Sequence, residues 1–219
     1  MNTIIFDMDG VIFDTERLCM DSWQAVATEH GMGDISATFR KCIGTNDVKT
    51  REIVLQDMGQ DFPYDIFRKE ASIKIHQDMQ EYGMRLLPGV KELLQYLKEN
   101  HYKIGLASST RQQVVEMELK MAEIYDYFQV IVCGDMVRRS KPEPDIYLCA
   151  CEKIGTKPKE AYAIEDSYHG IRAADAAGMK PIMVPDLTAP DAEMWRLSTH
   201  IFSSLFEVLE FLKKPLQLQ

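Results

Sequence analysis

The hydrophobic and polar positions follow two different periods along the chain. Short apolar runs are typical of buried strands, whereas apolar residues three and four positions apart are typical of helices that bury one face. On this basis we predict buried strands at 3–6, 103–107, 129–133, 161–164 and 181–184, with an edge strand at 200–202.

From Pro88 onward, helical patterns separate the apolar runs. Pro88 is predicted to open a helix, because a missing N–H does no harm in the first turn, and Leu93, Leu94 and Leu97 form its buried stripe. The other helices predicted in this part of the chain are 111–121, 145–154, 170–177 and 203–214. Strands that alternate with helices in this way predict an α/β fold with a doubly wound parallel sheet.

The segment between the first two strands shows helical periods and no convincing strand. Its first predicted helix places Leu18, Trp23 and Val26 on one face. Further helices are predicted near 39–43, at 48–58 with residues 45–47 as its N-terminal cap, and at 65–81. We therefore predict a core domain of residues 1–14 and 83–219, interrupted by a small helical-bundle cap domain of residues 15–82.

The composition fits a globular protein of a reducing cytoplasm. The 219 residues carry a formal net charge of -9, which argues against general nucleic-acid binding but leaves room for a local basic pocket that holds a phosphate. No apolar stretch reaches the length of a membrane span, and the N-terminus shows no signal-peptide pattern. The five cysteines form no C-x-x-C pair, so neither a zinc site nor a disulfide framework is expected.

Two acidic residues follow the first strand, at the end where an open α/β sheet carries its site. Asp7 and Asp9 are followed at once by Gly10. On an extended chain both side chains would point the same way, and two close carboxylates repel each other unless a cation joins them or one takes a proton. Mg²⁺ prefers oxygen ligands and fits this pair. The alternative is a polar exit from the strand into a turn.

Further polar residues follow the later strands. Ser108 and Ser109 follow the second strand, Lys141 lies in the loop after the third, and the last pair, at the end of the fourth, is Glu165 and Asp166. Together they suit a phosphoryl group, because a hydroxyl and a lysine can hold its oxygens while carboxylates hold a Mg²⁺. A carboxylate can also be the nucleophile and form an aspartyl phosphate.

Several of these residues could have other roles than the ones given above. Ser108 could cap the next helix, a role for which Ser109 and Thr110 compete. Lys141 could be a surface lysine, and Glu165 could bind a metal directly or through water. His169 is interpreted as a solvated histidine at a helix start.

Four motifs together resemble those of the haloacid dehalogenase superfamily. They are Asp-Met-Asp-Gly-Val at 7–11, the strand that ends at Ser108, Ser-Lys-Pro-Glu-Pro-Asp at 140–145, and Glu-Asp-Ser at 165–167 with Gly170. Their order and their places at strand ends match, and the resemblance covers the whole chain. The helical insert resembles the cap of the subgroup that contains β-phosphoglucomutase and many small sugar phosphatases.

The resemblance implies a role for each motif residue. Asp7 would be the nucleophile and a Mg²⁺ ligand. Asp9 would protonate the leaving oxygen, then activate the incoming water or hydroxyl, and bind the metal through its carbonyl oxygen. An acid at this place favours phosphate esters, since the carbon–halogen enzymes of the superfamily lack it. The remaining implied roles are phosphate binding by Ser108, Ser109 and Lys141 and metal binding by Glu165 and Asp166. The resemblance also implies a monomer.

The cap is expected to decide whether water or a sugar hydroxyl accepts the phosphoryl group. β-Phosphoglucomutases carry a histidine and an arginine in the cap where this chain has Cys19 and Asp47. The predicted substrate contacts of the cap are Thr15, Lys49 and Lys74, the last of which matches a lysine that mutases use. We favour a Mg²⁺-dependent phosphatase of a small phosphorylated metabolite, such as a sugar phosphate. The alternatives are a phosphosugar mutase and a catalytically silent binding relative.

Overall fold

A parallel sheet of six strands organises the larger part of the computed structural model, which describes residues 2–43 and 47–214 and leaves out the side chain of Asp47. The strands run in the spatial order β3-β2-β1-β4-β5-β6. Their bounds are β1 (Thr3–Phe6), β2 (Lys103–Ser108), β3 (Val130–Cys133), β4 (Ala161–Glu165), β5 (Lys180–Met183) and β6 (His200–Ile201). Because β1 lies between β2 and β4, the residues that follow it stand where the strand order reverses, the usual ligand position in such sheets.

The described residues form ten α-helices. They are α1 (Thr15–Glu29), α2 (Ser36–Cys42), α3 (Asp47–Met58), α4 (Tyr64–Tyr82), α5 (Val90–Glu99), α6 (Gln112–Met121), α7 (Asp145–Ile154), α8 (Tyr168–Ala176), α9 (Ala192–Leu197) and α10 (Leu205–Lys213). In the described part of the chain, no helix is both long enough and apolar enough to cross a bilayer.

The chain divides into two compact units. One consists of Met1–Asp14 with Met84–Gln219, and the other is Thr15–Gly83. The larger unit contains the sheet with α5 to α10, and the smaller unit contains α1 to α4. The predicted cap at residues 45 and 46 lies outside the described residues.

The sheet buries both of its faces, as its apolar strands require. Ile4 and Phe6 of β1 pack on one face with residues of α5, α6 and α10. Ile5 points to the opposite face and packs with α7 and α8. This alternation along β1 fixes the strand in the centre of the sheet, and its end becomes a rigid base for the residues that follow.

The smaller unit has a separate aromatic core. The indole of Trp23 packs edge-on against Phe39 and Phe67, with ring centroids 5.2 and 5.4 Å apart. Trp23 is buried, as are Val26 and Ala27 on the same helix. Their spacing in α1 is the helical period that the sequence shows.

The predicted α/β fold is confirmed, and the six predicted strands are present with ends shifted by about one residue. Pro88 was wrongly predicted to open a helix. Instead, Gly89 adopts a left-handed conformation with φ of 92°, and α5 begins at Val90. The short helix α9 was not predicted, because its six residues bury only Met194 and show no clear apolar stripe.

Candidate active site

The chain leaves β1 in a tight turn that fixes Asp7. The Asp7 N–H donates to the Ile164 carbonyl oxygen at 2.9 Å and so continues the strand ladder for one residue. The N–H groups of Ile12 and Phe13 then donate to the Met8 carbonyl oxygen at 2.8 and 3.1 Å. The extended geometry assumed for residues 7–9 is therefore wrong beyond Asp7, because the chain turns at Met8 instead of continuing as a strand.

Gly10 is required by this turn for two reasons. Its φ is 76°, a conformation that side chains disfavour, and a Cβ at this position would collide with the Asp166 carboxylate. The close approach brings the first and fourth motifs together.

Lys141 connects the buried charges of the site. Its Nζ lies 2.5 Å from Asp7 Oδ1 and 2.6 Å from Glu165 Oε1, and it also donates to the Ala107 carbonyl oxygen at 3.1 Å. The side chain of Lys141 is only 7% exposed, so the alternative of a surface lysine is wrong. An ammonium group offers three protons, and these three oxygens can accept all of them.

Three carboxylates form an acidic cluster at the carboxyl ends of β1 and β4. One oxygen each from Asp7, Glu165 and Asp166 lies within 4.8 Å of the others. Lys141 pairs with two of them, Asp7 and Glu165. A hard divalent cation such as Mg²⁺ fits this all-oxygen donor set.

Burial and neighbouring charges shift the pKa values of Asp7 and Lys141. Removal from water raises the pKa of the Asp7 carboxyl to about 8; Lys141 opposes this rise, and the charges of Glu165 and Asp9 add to it. Burial also disfavours the ammonium of Lys141, but Asp7 and Glu165 outweigh that effect and raise its pKa. Only an ionised Asp7 can act as a nucleophile, and a further cation beside it would lower its pKa and favour that form.

Asp9 points to a different partner. Its Oδ2 accepts a hydrogen bond of 3.1 Å from the Thr110 hydroxyl, in the loop after β2. The sequence predicts Thr110 only as a candidate helix cap. The signal for this contact is a hydroxyl two residues beyond Ser108. The contact orients the carboxyl group that is the predicted acid–base group.

The two predicted phosphate-binding serines have different surroundings. Ser108 is buried, and its Oγ accepts the Thr110 N–H at 3.0 Å. Ser109 is exposed. Ser108 does not cap α6, because the Gln112 N–H at the start of that helix donates to Asp135 Oδ1 at 3.1 Å. Phosphate binding by Ser108 and Ser109 stays a prediction.

The Glu165 carboxylate is fully buried and has protein partners on both oxygens. Oε1 accepts from Lys141 and, at 2.6 Å, from the Tyr147 hydroxyl. Oε2 accepts from the Ser167 hydroxyl at 3.2 Å, and the same hydroxyl oxygen accepts the Gly170 N–H at the start of α8. Tyr147 was not predicted from the sequence, because a tyrosine in an amphipathic helix is indistinguishable from other core residues.

The loop that carries Lys141 is held by a surface ion pair. Arg139 donates from Nε and a terminal nitrogen to Asp145, with a shortest distance of 2.6 Å, and also pairs with Glu143 at 3.0 Å. These contacts tie the two ends of the loop together. They connect Lys141 to the start of α7.

The cap residues predicted to contact substrate belong to the smaller unit. Thr15 is the first residue of α1. Lys49 pairs with Glu52 at 3.0 Å and Lys74 with Asp78 at 2.8 Å. Cys19 is half-buried, and the side chain of Asp47 lies outside the described residues. Substrate contacts by Thr15, Lys49 and Lys74 stay predictions.

Comparisons with known proteins agree with this geometry. The family of haloacid dehalogenase-like hydrolases matches residues 4–184. The chain is 32% identical over 185 residues to a phosphorylated carbohydrates phosphatase of Thermotoga maritima, which covers 83% of this chain and 84% of that protein. It is 33% identical over 187 residues to the β-phosphoglucomutase of Bacillus subtilis, with coverage of 82% and 81%.

A solved structure has the same fold over nearly the whole chain. It is a haloacid dehalogenase family hydrolase from Deinococcus radiodurans with bound phosphate and sodium, superposed with a TM-score of 0.80 at 26% identity. The match covers 97% of this chain and 95% of that one. The resemblance seen in the motifs is thereby confirmed, and the chain belongs to the haloacid dehalogenase-like hydrolase family.

Proposed function

We propose that the protein is a Mg²⁺-dependent phosphatase that hydrolyses a small phosphorylated metabolite, in the first place a sugar phosphate. The observation that carries this proposal is the buried Lys141 ammonium held between Asp7 and Glu165, 2.5 and 2.6 Å from their oxygens. A carboxylate nucleophile paired with a fixed cation suits attack on a phosphoryl group, whose oxygens carry negative charge. The phosphatase and mutase relatives support the same chemistry.

In the first step, an Asp7 carboxylate oxygen attacks phosphorus and an aspartyl phosphate forms. The bond from phosphorus to the ester oxygen breaks, and the electron pair stays with the leaving oxygen. Asp9, in its acid form, gives that oxygen a proton. Lys141, held beside Asp7, neutralises part of the charge on the phosphoryl oxygens as the bond to Asp7 forms.

In the second step, water replaces the metabolite. Asp9, now a carboxylate, takes a proton from the water, whose oxygen bonds to phosphorus. The bond from phosphorus to Asp7 breaks, which regenerates the carboxylate and releases inorganic phosphate. The hydrogen bond from Thr110 supports both tasks by orienting the Asp9 carboxyl group.

Asp7, Glu165 and Asp166, with the Asp9 carbonyl oxygen, are the groups that would hold Mg²⁺. When bound, the ion would neutralise phosphoryl charge and keep Asp7 ionised. Glu165 would take part directly or through water. The close packing of three carboxylate oxygens within 4.8 Å supports this assignment.

A mutase is the second candidate, and the β-phosphoglucomutase relative supports it. It would use the same Asp7 and Asp9 steps, with a sugar hydroxyl in place of water. Cys19 and Asp47, at the places where mutases carry a histidine and an arginine, favour the phosphatase. We further propose a cytoplasmic monomer, a setting that fits five cysteines without a disulfide.

The deciding experiment supplies purified protein and Mg²⁺ with a panel of phosphorylated metabolites. The panel includes β-glucose 1-phosphate with a bisphosphate primer, and both free phosphate and glucose 6-phosphate are followed. We expect free phosphate from one or a few esters and none from the Asp7→Asn variant, which should stay folded. Glucose 6-phosphate without free phosphate would replace the phosphatase with the mutase.

The alternative that the protein is a catalytically silent binding relative can be tested without substrate. An intact site should bind Mg²⁺ in the millimolar range or tighter, so the melting temperature should rise with Mg²⁺ concentration. Asp166→Asn is the matched control, in which the rise should be lost. If Mg²⁺ does not raise the melting temperature of the wild-type protein and no ester is turned over, the protein is a binding protein without catalytic activity.

A further inference from the structure

Tyr147 contacts the charged centre of the site in two ways. Its side chain is fully buried on α7, and its hydroxyl donates to Glu165 Oε1 at 2.6 Å. Lys141 Nζ lies 5.0 Å from the centroid of the Tyr147 ring, within the range of a cation–π interaction. A phenylalanine would fill nearly the same space, so the hydroxyl has a role that packing does not require.

The Tyr147 hydroxyl and the Lys141 ammonium share one acceptor. Both donate to Glu165 Oε1, each at 2.6 Å. A carboxylate oxygen that already accepts one strong hydrogen bond attracts a second donor less, because its charge is partly neutralised. Tyr147 therefore weakens the hold of Glu165 on Lys141.

Lys141 has a competing partner in Asp7. Its Nζ is 2.5 Å from Asp7 Oδ1, almost the same distance as from Glu165. In a buried setting the ammonium would move toward whichever carboxylate carried more charge, since such pairs are strong where water is excluded. The Tyr147 hydroxyl favours the position in which Lys141 Nζ is equally close to Asp7 and Glu165. The Tyr147 ring keeps water away from one side of the ammonium.

We propose that Tyr147 is a positioning residue that keeps Lys141 shared between Glu165 and Asp7, so that the ammonium stays within reach of the phosphoryl group. The inference deepens the proposed function and rests on it. Without the hydroxyl, Lys141 would move toward Glu165 and away from Asp7.

The kinetic test uses Tyr147→Phe, which removes the hydroxyl and keeps the ring. We expect kcat to fall about tenfold with KM changed less than about threefold, because negative charge moves from Asp7 to the reacting phosphoryl group in the transition state, where Lys141 has to neutralise it. Tyr96→Phe is the matched control. It also removes one hydroxyl with one hydrogen bond, from Tyr96 to the Leu212 carbonyl oxygen at 3.3 Å, but outside the site, and should keep the wild-type kcat.

A second readout needs no substrate and no metal. The ¹⁵Nζ resonance of Lys141 is assigned as the ammonium signal that disappears in Lys141→Met. In the wild-type protein its protons should exchange with water slowly, since all three can be donated to protein oxygens. In Tyr147→Phe the resonance should shift and its protons should exchange faster, whereas Tyr96→Phe should leave it unchanged.

The two readouts separate this inference from the proposed function. A wild-type protein without phosphatase activity contradicts the function, while the resonance still tests the position of Lys141. Wild-type kcat and an unshifted Lys141 resonance in a folded Tyr147→Phe variant would overturn the inference. If that variant does not fold, the wild-type spectrum decides, and a Lys141 signal that exchanges as fast as those of surface lysines contradicts the proposal.

Discussion

The candidate active site is built on buried charged side chains that stabilise one another. Lys141, Asp7 and Glu165 are each nearly removed from water, and an isolated buried ion is destabilised by several kcal/mol. Each therefore needs the others, and the loss of one leaves the remainder uncompensated. The sequence predicted these residues because they stand at strand ends. It did not predict Tyr147, whose role depends on a contact from α7 to Glu165 at the end of β4.

Glu118 should make the stability of the protein depend on pH, because its carboxyl group is buried on α6. Within the described residues its Oε2 has no hydrogen-bond partner, and burial, with a smaller contribution from Asp9, raises its pKa from 4.5 to about 7. The folded state thus holds this proton more tightly than the unfolded state. The resulting stability is present below about pH 4.5 and is lost as the pH rises through 7.

Glu118→Gln should remove this dependence. We expect its free energy of unfolding, relative to wild type, to rise between about pH 5 and pH 8, by up to about 3 kcal/mol. Denaturant unfolding at several pH values measures the difference. Glu116→Gln is the control on the same helix: the pKa of Glu116 is lowered by Gln112 and Lys120, so it should show no such rise. If the difference in free energy of unfolding between Glu118→Gln and wild type does not change with pH, the raised pKa of the buried Glu118 carboxyl group is contradicted.

At the scale of elements, apolar periodicity placed the strands and most helices of the core. It failed where backbone conformation determines how a helix begins or how the chain leaves a strand. Gly89 stops Pro88 from opening α5, and the turn after Met8 takes Asp9 away from the direction of the strand. Both features depend on backbone conformation, a left-handed φ at Gly89 and hydrogen bonds to the Met8 carbonyl oxygen, which the apolar period does not reveal.

Gly170 tests how closely β4 and α8 must pack. A Cβ at Gly170 would collide with the Glu165 carboxylate, which is fully buried and cannot move into solvent. Gly170→Ala should lower stability by about 2 kcal/mol, in spite of the better helix propensity of alanine. It should also lower kcat, because a displaced Glu165 moves Lys141.

The control for this prediction is Gly33→Ala. Apart from its two chain neighbours, no heavy atom of the described residues lies within 4 Å of a Cβ built at Gly33, so both stability and kcat should stay near wild type. Thermal unfolding and steady-state kinetics measure both effects. A Gly170→Ala protein with wild-type stability and kcat would show that Glu165 tolerates displacement.

At the scale of the whole molecule, the hydrophobic clusters of the described residues do not extend from one compact unit into the other. The sheet and its helices form the clusters of one unit, and the cluster around Trp23 lies in the other. The domain division predicted from the sequence is based on the change from alternating strands and helices to helices alone. The identity of the phosphoryl acceptor was not predictable in the same way, because it depends on side-chain positions in the helical insert.

We expect the larger unit to fold without the insert. The two points where the chain leaves and re-enters it are already joined: the Asp14 N–H donates to the Arg85 carbonyl oxygen at 3.0 Å, and Phe13 pairs with Leu86. A variant with a Gly/Ser linker of about five residues in place of Thr15–Gly83 should unfold cooperatively, since a short loop closes at little entropic cost. Circular dichroism during heating measures this. A linked core without a cooperative transition would contradict two independent hydrophobic cores.

The most direct measurement of the central claim is to trap the phosphoryl group on Asp7 during turnover. The protein is mixed with Mg²⁺ and the best ester of the panel and quenched within milliseconds. Borohydride then reduces any aspartyl phosphate to homoserine, and mass spectrometry locates it. We predict homoserine at position 7 in the wild-type protein and none without ester. Continued release of phosphate with an unmodified Asp7, or with homoserine at another aspartate, would contradict the account.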